Sequence, residues 1–239
     1  MGRMSEDITY RALESADYPT IEQLLCDEWG NPAQGHDLAM KLAEIDLEDC
    51  LARTTCAQVA VADGKVVGVV LGGIHADLDH DKAERHHGAS LKLRMSLDLN
   101  PGGHEAYEQL KRNEKADREL LEQAKAEGHA YDAEVVLLLV DASVRGQGIG
   151  QHLFDWLLDQ FKEAGVQHYF LHTDSRCQYR FYDKQGLARR AVLDVEPHTP
   201  REDAEMHAEQ DRLDDHLHAM IYDNETSPAN EGVNPLGRD

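Results

Sequence analysis

Basic residues are scarce in this chain: 24 lysines and arginines stand against 46 aspartates and glutamates, a formal charge of −22 over 239 residues. A field of that sign repels nucleic-acid phosphates and anionic membranes, so neither is expected as a main partner. It suits a cationic acceptor, and it equally suits a solvated surface that aids solubility. Cysteines number only four. Cys26, Cys50, Cys56 and Cys177 form no CxxC pair and no regular framework, which makes reduced thiols in a cytoplasmic protein the simplest account. Long apolar runs are missing as well. The longest, Val135 to Val140, is far too short to span a bilayer. The opening "MGRMSEDITYRAL" lacks the basic and apolar regions of a signal peptide. A soluble, cytoplasmic protein is expected. Hydrophobic residues still reach 41%, and a chain of this length buries a substantial core without staples.

What is present alternates between strand and helix signals. "ITYRAL" (8–13) reads as a first strand. In "DYPTIEQLLCDEW" the residues Ile21, Leu24, Leu25 and Glu28 follow helical spacing, with Asp17 as the cap. A second helix is predicted over 36–53. "AQVAVADGKVVGVVLGGIHA" is a hairpin, two β-branched runs around Asp63-Gly64. The β pattern then breaks over 76–131, where two charge-rich helical stretches flank Asn100-Pro101-Gly102-Gly103. That segment reads as an inserted helical hairpin, either packed across a site or serving a dimer contact.

"EVVLLLV" (134–140) is apolar on both faces and therefore a central strand. A helix follows with Leu153, Leu157, Phe161 and Ala164 on one stripe, stopping at Gly165. "QHYFLHTD" is a second central strand, "QYRFYDKQG" a short helix, and "LARRAVLDVE" and "HLHAMIYD" (216–223) the closing strands. The tail 224–239 has the composition of a disordered end. One domain over 6–223 is expected.

Between the first central strand and its helix lies "SVRGQGIG", glycines at every second position. A Walker loop requires GxxxxGK[ST], but Gln151-His152 follows the last glycine. A dinucleotide fingerprint GxGxxG fits Gly146 and Gly148 and fails at Gln151. Its first glycine also sits several residues beyond the strand end, although Asp174 is placed as a ribose ligand would be. The pattern [RQ]xxGx[GA] is matched by Arg145, Gly148 and Gly150. There, successive N–H groups converge at a helix N-terminus on an anion such as a pyrophosphate. A Cβ at 148 or 150 would hold that anion off, so Gly148→Val is expected to remove binding with the fold intact.

On these residues the chain resembles the GNAT superfamily of acetyl-CoA-dependent N-acetyltransferases. "LLVDASVRGQGIGQHLFDWLL" is similar to its pyrophosphate motif, and "YRFYDKQGL" to the helix two elements later. The likeness covers roughly 6–75 and 132–223. Ala142 stands where a proline is frequent, and Ser175 where an asparagine is. The resemblance implies an α/β (α+β) fold with a mixed, largely antiparallel sheet, its central strands splayed into a slot for the cosubstrate. It implies that backbone groups of Leu138, Leu139 and Val140 pair with the pantetheine arm. The amides of Arg145, Gly146, Gln147, Gly148, Ile149 and Gly150 would hold the pyrophosphate, with Ser175 beside the arm. The family also makes a homodimer plausible.

Direct acetyl transfer needs a neutral amine and a proton for the departing thiolate. Tyr182 in "FYDKQG" lies where family members carry their tyrosine acid. Tyr179 lies one turn earlier. Glu134 stands eleven positions before Arg145, the spacing of histone-type members, and is the expected base, directly or through water. A carboxylate on an apolar strand is costly unless paired or facing a wet site. No metal site is expected: Asp77, Asp79 and Asp81 open like a calcium loop, but Lys82 and Gly88 break it. Cys177 has no histidine base at a recognisable spacing and reads as a small buried thiol. The sequence therefore points to acetyl transfer from acetyl-CoA to a primary amine, the acceptor a small molecule. A non-catalytic acyl-CoA-binding module and a dinucleotide-dependent oxidoreductase are the alternatives.

Overall fold

The computed structural model describes residues 8–195 and 217–224. Within them, one sheet carries β1 (Thr9–Ala12), β2 (Cys56–Ala62), β3 (Lys65–Ile74), β4 (Ala133–Val140), β5 (Tyr169–Asp174), β6 (Ala188–Val195) and β7 (Leu217–Asp223), in the order β1-β2-β3-β4-β5-β7-β6. Every neighbouring pair is antiparallel except β4 with β5. The mixed, largely antiparallel sheet expected from the sequence is what forms, and it is open at both edges. The β2–β3 hairpin turns through Asp63 and Gly64, both at positive φ (50° and 77°), the two-residue turn whose twist suits paired strands.

Among the described residues six α-helices surround the sheet: α1 (Tyr18–Trp29), α2 (His36–Arg53), α3 (His80–Met95, packed against α2), α4 (Gly103–Ala126), α5 (Ile149–Glu163) and α6 (Arg180–Lys184). Strand alternation sorts the core by face. On one face Leu153, Phe154, Leu157 and Phe161 of α5 pack on Val70, Val135, Leu171 and Tyr222. On the other, α1 and α2 bring Ile21, Leu25, Leu47 and Leu51 onto Val59, Val69, Leu137 and Leu139. α4 covers the rest of that second face, with Ala116, Leu120 and Ala124 on Phe170, Ala191, Ala219 and Ile221. The segment 76–131, expected to be an insertion, thus packs beside the sheet through α4. Its exit is tied down where Tyr131 Oη donates to Asp223 Oδ2 (2.7 Å), a carboxylate that Arg190 also grips (2.7 and 2.9 Å).

Four expectations shift in detail. Ala164 is exposed, because α5 ends at Glu163 and Ala164 is its C-cap. Asp17 is the residue before α1, but its carboxylate turns back to Arg11 (2.7 Å to each oxygen) and to the Glu14 amide (2.9 Å). Asp79, read as part of a failed calcium loop, caps α3 by accepting from the Lys82 amide (2.9 Å). Asn224, assigned to the disordered tail, bonds to Tyr169 and Gln167 across the sheet end. Positions 225–239, and residues 6, 7, 196 and 216, lie outside the described residues.

Candidate active site

β4 and β5 are joined only at their first residues, Ala133 with Tyr169 and Glu134 with Phe170. Beyond that point they part, while β4 stays paired to β3 as far as Val140. One edge of β4 is therefore left open along the strand, a ready partner for an extended chain. A cleft of about 380 Å³ fills the gap. It is lined by Leu137 and Leu139, whose side chains belong to the α1–α2 face, and by Leu138 and Val140 of the α5 face. The cleft therefore passes through the sheet. His172, Thr173, Cys177 and Tyr182 form its opposite wall, and Glu28 and Trp29 at the end of α1 close one side.

At one mouth of the cleft the chain makes its glycine turn. Gly146 and Gly148 have φ of 80° and 82°, a conformation that L side chains rarely adopt. A Cβ at either would meet nothing within 4 Å, so backbone conformation alone requires glycine there. The first backbone bond of α5 runs from the His152 N–H to the Gly148 carbonyl (3.0 Å). Among the described residues, the amides of Gly146 through Gln151 have no acceptor. Unsatisfied donors at a helix start, carrying the positive end of its dipole, form an anion cradle. The Arg145 amide is different: it donates weakly to the Ala142 carbonyl (3.4 Å). Its guanidinium binds Glu28 (2.5 Å) and the Val140 carbonyl (3.2 Å), bracing α1 against the turn. Glu28, expected on the apolar stripe of α1, is the other half of that brace.

Gly150 differs from Gly148. Its φ is ordinary, and a Cβ there would meet only Val140 Cγ2, at 3.6 Å. Gly148→Val would force a β-branched residue into a left-handed conformation, a strain of about 1–3 kcal/mol. In that variant a loss of binding could not be separated from a loss of stability, so the test moves to another position. Gly150 is the position where a side chain can be added toward the cleft without backbone strain.

The remaining candidates divide. Leu138, Leu139, Val140, Arg145, Gly146, Gly148, Ile149, Gly150 and Tyr182 all line the cleft; Gln147, Ser175 and Glu134 do not. The Ser175 hydroxyl accepts from the His218 amide (3.1 Å) and its amide donates to the His218 carbonyl (2.9 Å), so it fastens the end of β5 to β7. Tyr182 packs edge-on to Phe154 and faces Tyr222 on the α5 side. Burial raises its phenol above the ordinary range, so it stays protonated at neutral pH. Cys177 is likewise pushed up to about 12 by burial, which keeps it a thiol and a poor nucleophile.

Glu134 lies on the opposite face from Tyr182, beneath α2. Its Oε1 accepts from Arg53 Nη1 at 2.5 Å. A glycine makes this pair possible. Gly73, the cross-strand partner of Glu134, would place a Cβ 2.4 Å from the Arg53 carbonyl, so only glycine lets the end of α2 settle here. His172 escaped the sequence reading. It stands two residues after Phe170 on the same strand face, their rings 5.3 Å apart, and its buried Nε2 has no hydrogen-bond partner. A histidine inside the apolar run "YFLHTD" was the available signal. Burial lowers its pKa to about 4, so the ring is neutral.

The family model described as the acetyltransferase (GNAT) family matches residues 18–187. Among solved structures, arylalkylamine N-acetyltransferase 2 of Aedes aegypti shares 17% identity, covering 91% of this chain and 98% of its own, with a TM-score of 0.52. The polyamine N-acetyltransferase of Drosophila melanogaster, an enzyme that forms N-acetylagmatine, shares 14%, covering 92% and 100%, with a TM-score of 0.51. The ribosomal-protein-S18-alanine N-acetyltransferase of Escherichia coli shares 14%, covering 95% and 99%, at 0.47. No curated protein sequence matches significantly. At these identities the structures establish the fold alone.

Proposed function

The chain belongs to the acetyltransferase (GNAT) family, acyl-CoA-dependent N-acyltransferases, and from that premise we propose that it acetylates a small primary amine by direct transfer from acetyl-CoA. The observation that carries the reading is the joining of two features in one cleft: a row of unpaired amides at the start of α5 and an open strand edge leading away from it. They suit the two halves of the cosubstrate, a diphosphate for the amides of Gly146 to Gly150 and an extended amide-bearing arm for Leu138 to Val140. When bound, acetyl-CoA supplies an acetyl group activated as a thioester.

The protein's own part is placement and proton management. The two faces separate the roles: the acceptor approaches from the α2 side, where Glu134 lies, and the leaving thiol departs on the α5 side, where Tyr182 lies. Before attack, the ammonium gives one proton to water. The amine nitrogen then forms the C–N bond as the C–S bond breaks. Its second proton passes through water toward Glu134, and the Tyr182 phenol protonates the thiolate, to be reprotonated from solvent. Because Glu134 is held by Arg53 and stands outside the cleft lining, contact through water fits better than direct abstraction. Alignment of amine and thioester across the sheet supplies much of the remaining acceleration.

Calorimetry with acetyl-CoA, paired with a thiol-release assay over a panel of primary amines, tests this. Micromolar binding with amine-dependent thiol release is expected. Binding without turnover on any amine would identify a non-catalytic acyl-CoA-binding module instead.

A further inference from the structure

On the far side of the sheet from the glycine turn, side chains of α2 and α4 approach one another beside α3. At one end they meet through Leu38, Ile45, Leu97 and Ala106. Farther along, their facing stripes become ionisable: Asp46, Asp49 and Arg53 on α2, and Glu114 and Asp117 on α4. The seam is partly neutralised. Arg94 from α3 bridges Asp49 and Glu114 (2.5 Å to each), and Arg53 holds Glu134. The Asp117 carboxylate is half-buried and, among the described residues, makes no ion pair or side-chain hydrogen bond, while the Asp117 backbone lies within hydrogen-bonding reach of the His172 ring. A carboxylate left half-buried with no partner is costly. Beside it, His172 presents a buried imidazole whose Nε2 is also unpartnered, and the same ring borders the cleft. A buried, unpartnered imidazole nitrogen and a half-buried carboxylate thus stand side by side, next to the place where β4 and β5 part.

We propose that this seam is the acceptor subsite, that it takes α,ω-diamines, and that His172 accepts a hydrogen bond from the reacting nitrogen while Asp117 of the inserted helix pairs with the distal ammonium. The assignment rests on the transferase reading above and adds the acceptor's chemical class and two residues that contact it. A neutral imidazole is the right partner for an amine that must be uncharged to attack, since it accepts from N–H without favouring the ammonium form. A lone carboxylate is the right partner for a second positive charge, and the chain's acidic field draws such molecules in. Burial raises Asp117 to about 6, against Arg53 from α2, with Asp174 from β5 and Glu114 on its own helix adding negative charge. The second charge is therefore gripped above that pH and released below it.

The test compares butylamine with diamines from 1,3-diaminopropane to 1,6-diaminohexane as acceptors, alongside acetyl-CoA calorimetry on each variant. In the wild type at pH 7.5, the best diamine should exceed butylamine in kcat/KM by about tenfold or more, the value of one buried charge pair. Asp117→Asn should erase that advantage through KM, and so should assay below pH 6 in the wild type. Glu119→Gln, the same charge change on the exposed side of α4, should leave it intact. His172→Phe should lower kcat/KM for butylamine and diamines alike, with acetyl-CoA binding unchanged. A wild type that treats mono- and diamines equally, or acetylates neither while binding acetyl-CoA, overturns the subsite. So does a diamine advantage that survives in Asp117→Asn. Failure to bind acetyl-CoA at all overturns the transferase reading, and the subsite with it.

Discussion

The two mouths of the cleft are made of different material. On the α5 side the unpaired groups are main-chain amides and an open strand edge, held by glycine conformations and apolar packing. On the α2–α4 side they are side chains: His172 in the cleft lining, with Glu134 held by Arg53 and the proposed contact Asp117 behind it. A backbone cradle is rigid and indifferent to titration, which suits a cosubstrate that is always the same. Ionisable side chains respond to charge and pH, and they suit the partner whose identity must be selected. The contrast predicts that damage on the first side is steric and damage on the second is electrostatic.

The largest effect should come from Tyr182→Phe, which keeps the ring against Phe154 and Tyr222 but removes the proposed proton donor. A fall in kcat of about 10²–10⁴-fold is expected in the thiol-release assay, with acetyl-CoA affinity unchanged. Equal rates would move the acid elsewhere. Next, Gly150→Val should weaken acetyl-CoA binding by about 100-fold in calorimetry while the melting temperature holds, because its φ is ordinary and only Val140 lies nearby. Wild-type affinity in that variant would mean that the amides do not hold the diphosphate.

Smaller effects probe the electrostatic side. Asp46 is raised to about 7 by burial, with Asp49 on its own helix and Glu114 on α4 adding to the rise and Arg94 on α3 opposing it. Its proton is held more tightly in the folded state than in the unfolded chain. It therefore favours folding at low pH, an advantage lost as pH rises through about 7. Asp46→Asn should raise the melting temperature at pH 8 by about 2–4 °C, from about 1 kcal/mol. That gain should shrink steadily as the pH is lowered toward 4. Ser175→Ala should do least. With its hydroxyl serving His218, acetyl-CoA affinity should change less than about twofold by the same calorimetry.

Legibility in the sequence followed the same division. The glycine turn, the central strands and the hairpin at Asp63-Gly64 were read correctly because each is a local pattern: a φ requirement, a period, a two-residue turn. The same local reading placed Asp17 as a simple cap and Glu28 on an apolar stripe, and missed that both are engaged by distant arginines, Arg11 and Arg145. Ser175 was placed by analogy of position, yet its neighbour is His218, which only the pairing of β5 with β7 brings near. Nothing local marks Asp117: it is one charge among many on α4, and it becomes notable because Arg53 arrives from α2 and His172 and Asp174 from β5.

By itself the sequence determined the order of strands and helices, the backbone conformation at 146–150 and the chemistry of an anion cradle, since these depend on residues within a few positions of one another. Tertiary structure alone decided that β4 and β5 part after Glu134, that Gly73 admits Arg53 against the sheet, and that α4 brings Asp117 beside His172. The physical reason is range. Steric limits on φ act within a residue, whereas burial and charge pairing act through space between segments that the chain keeps far apart.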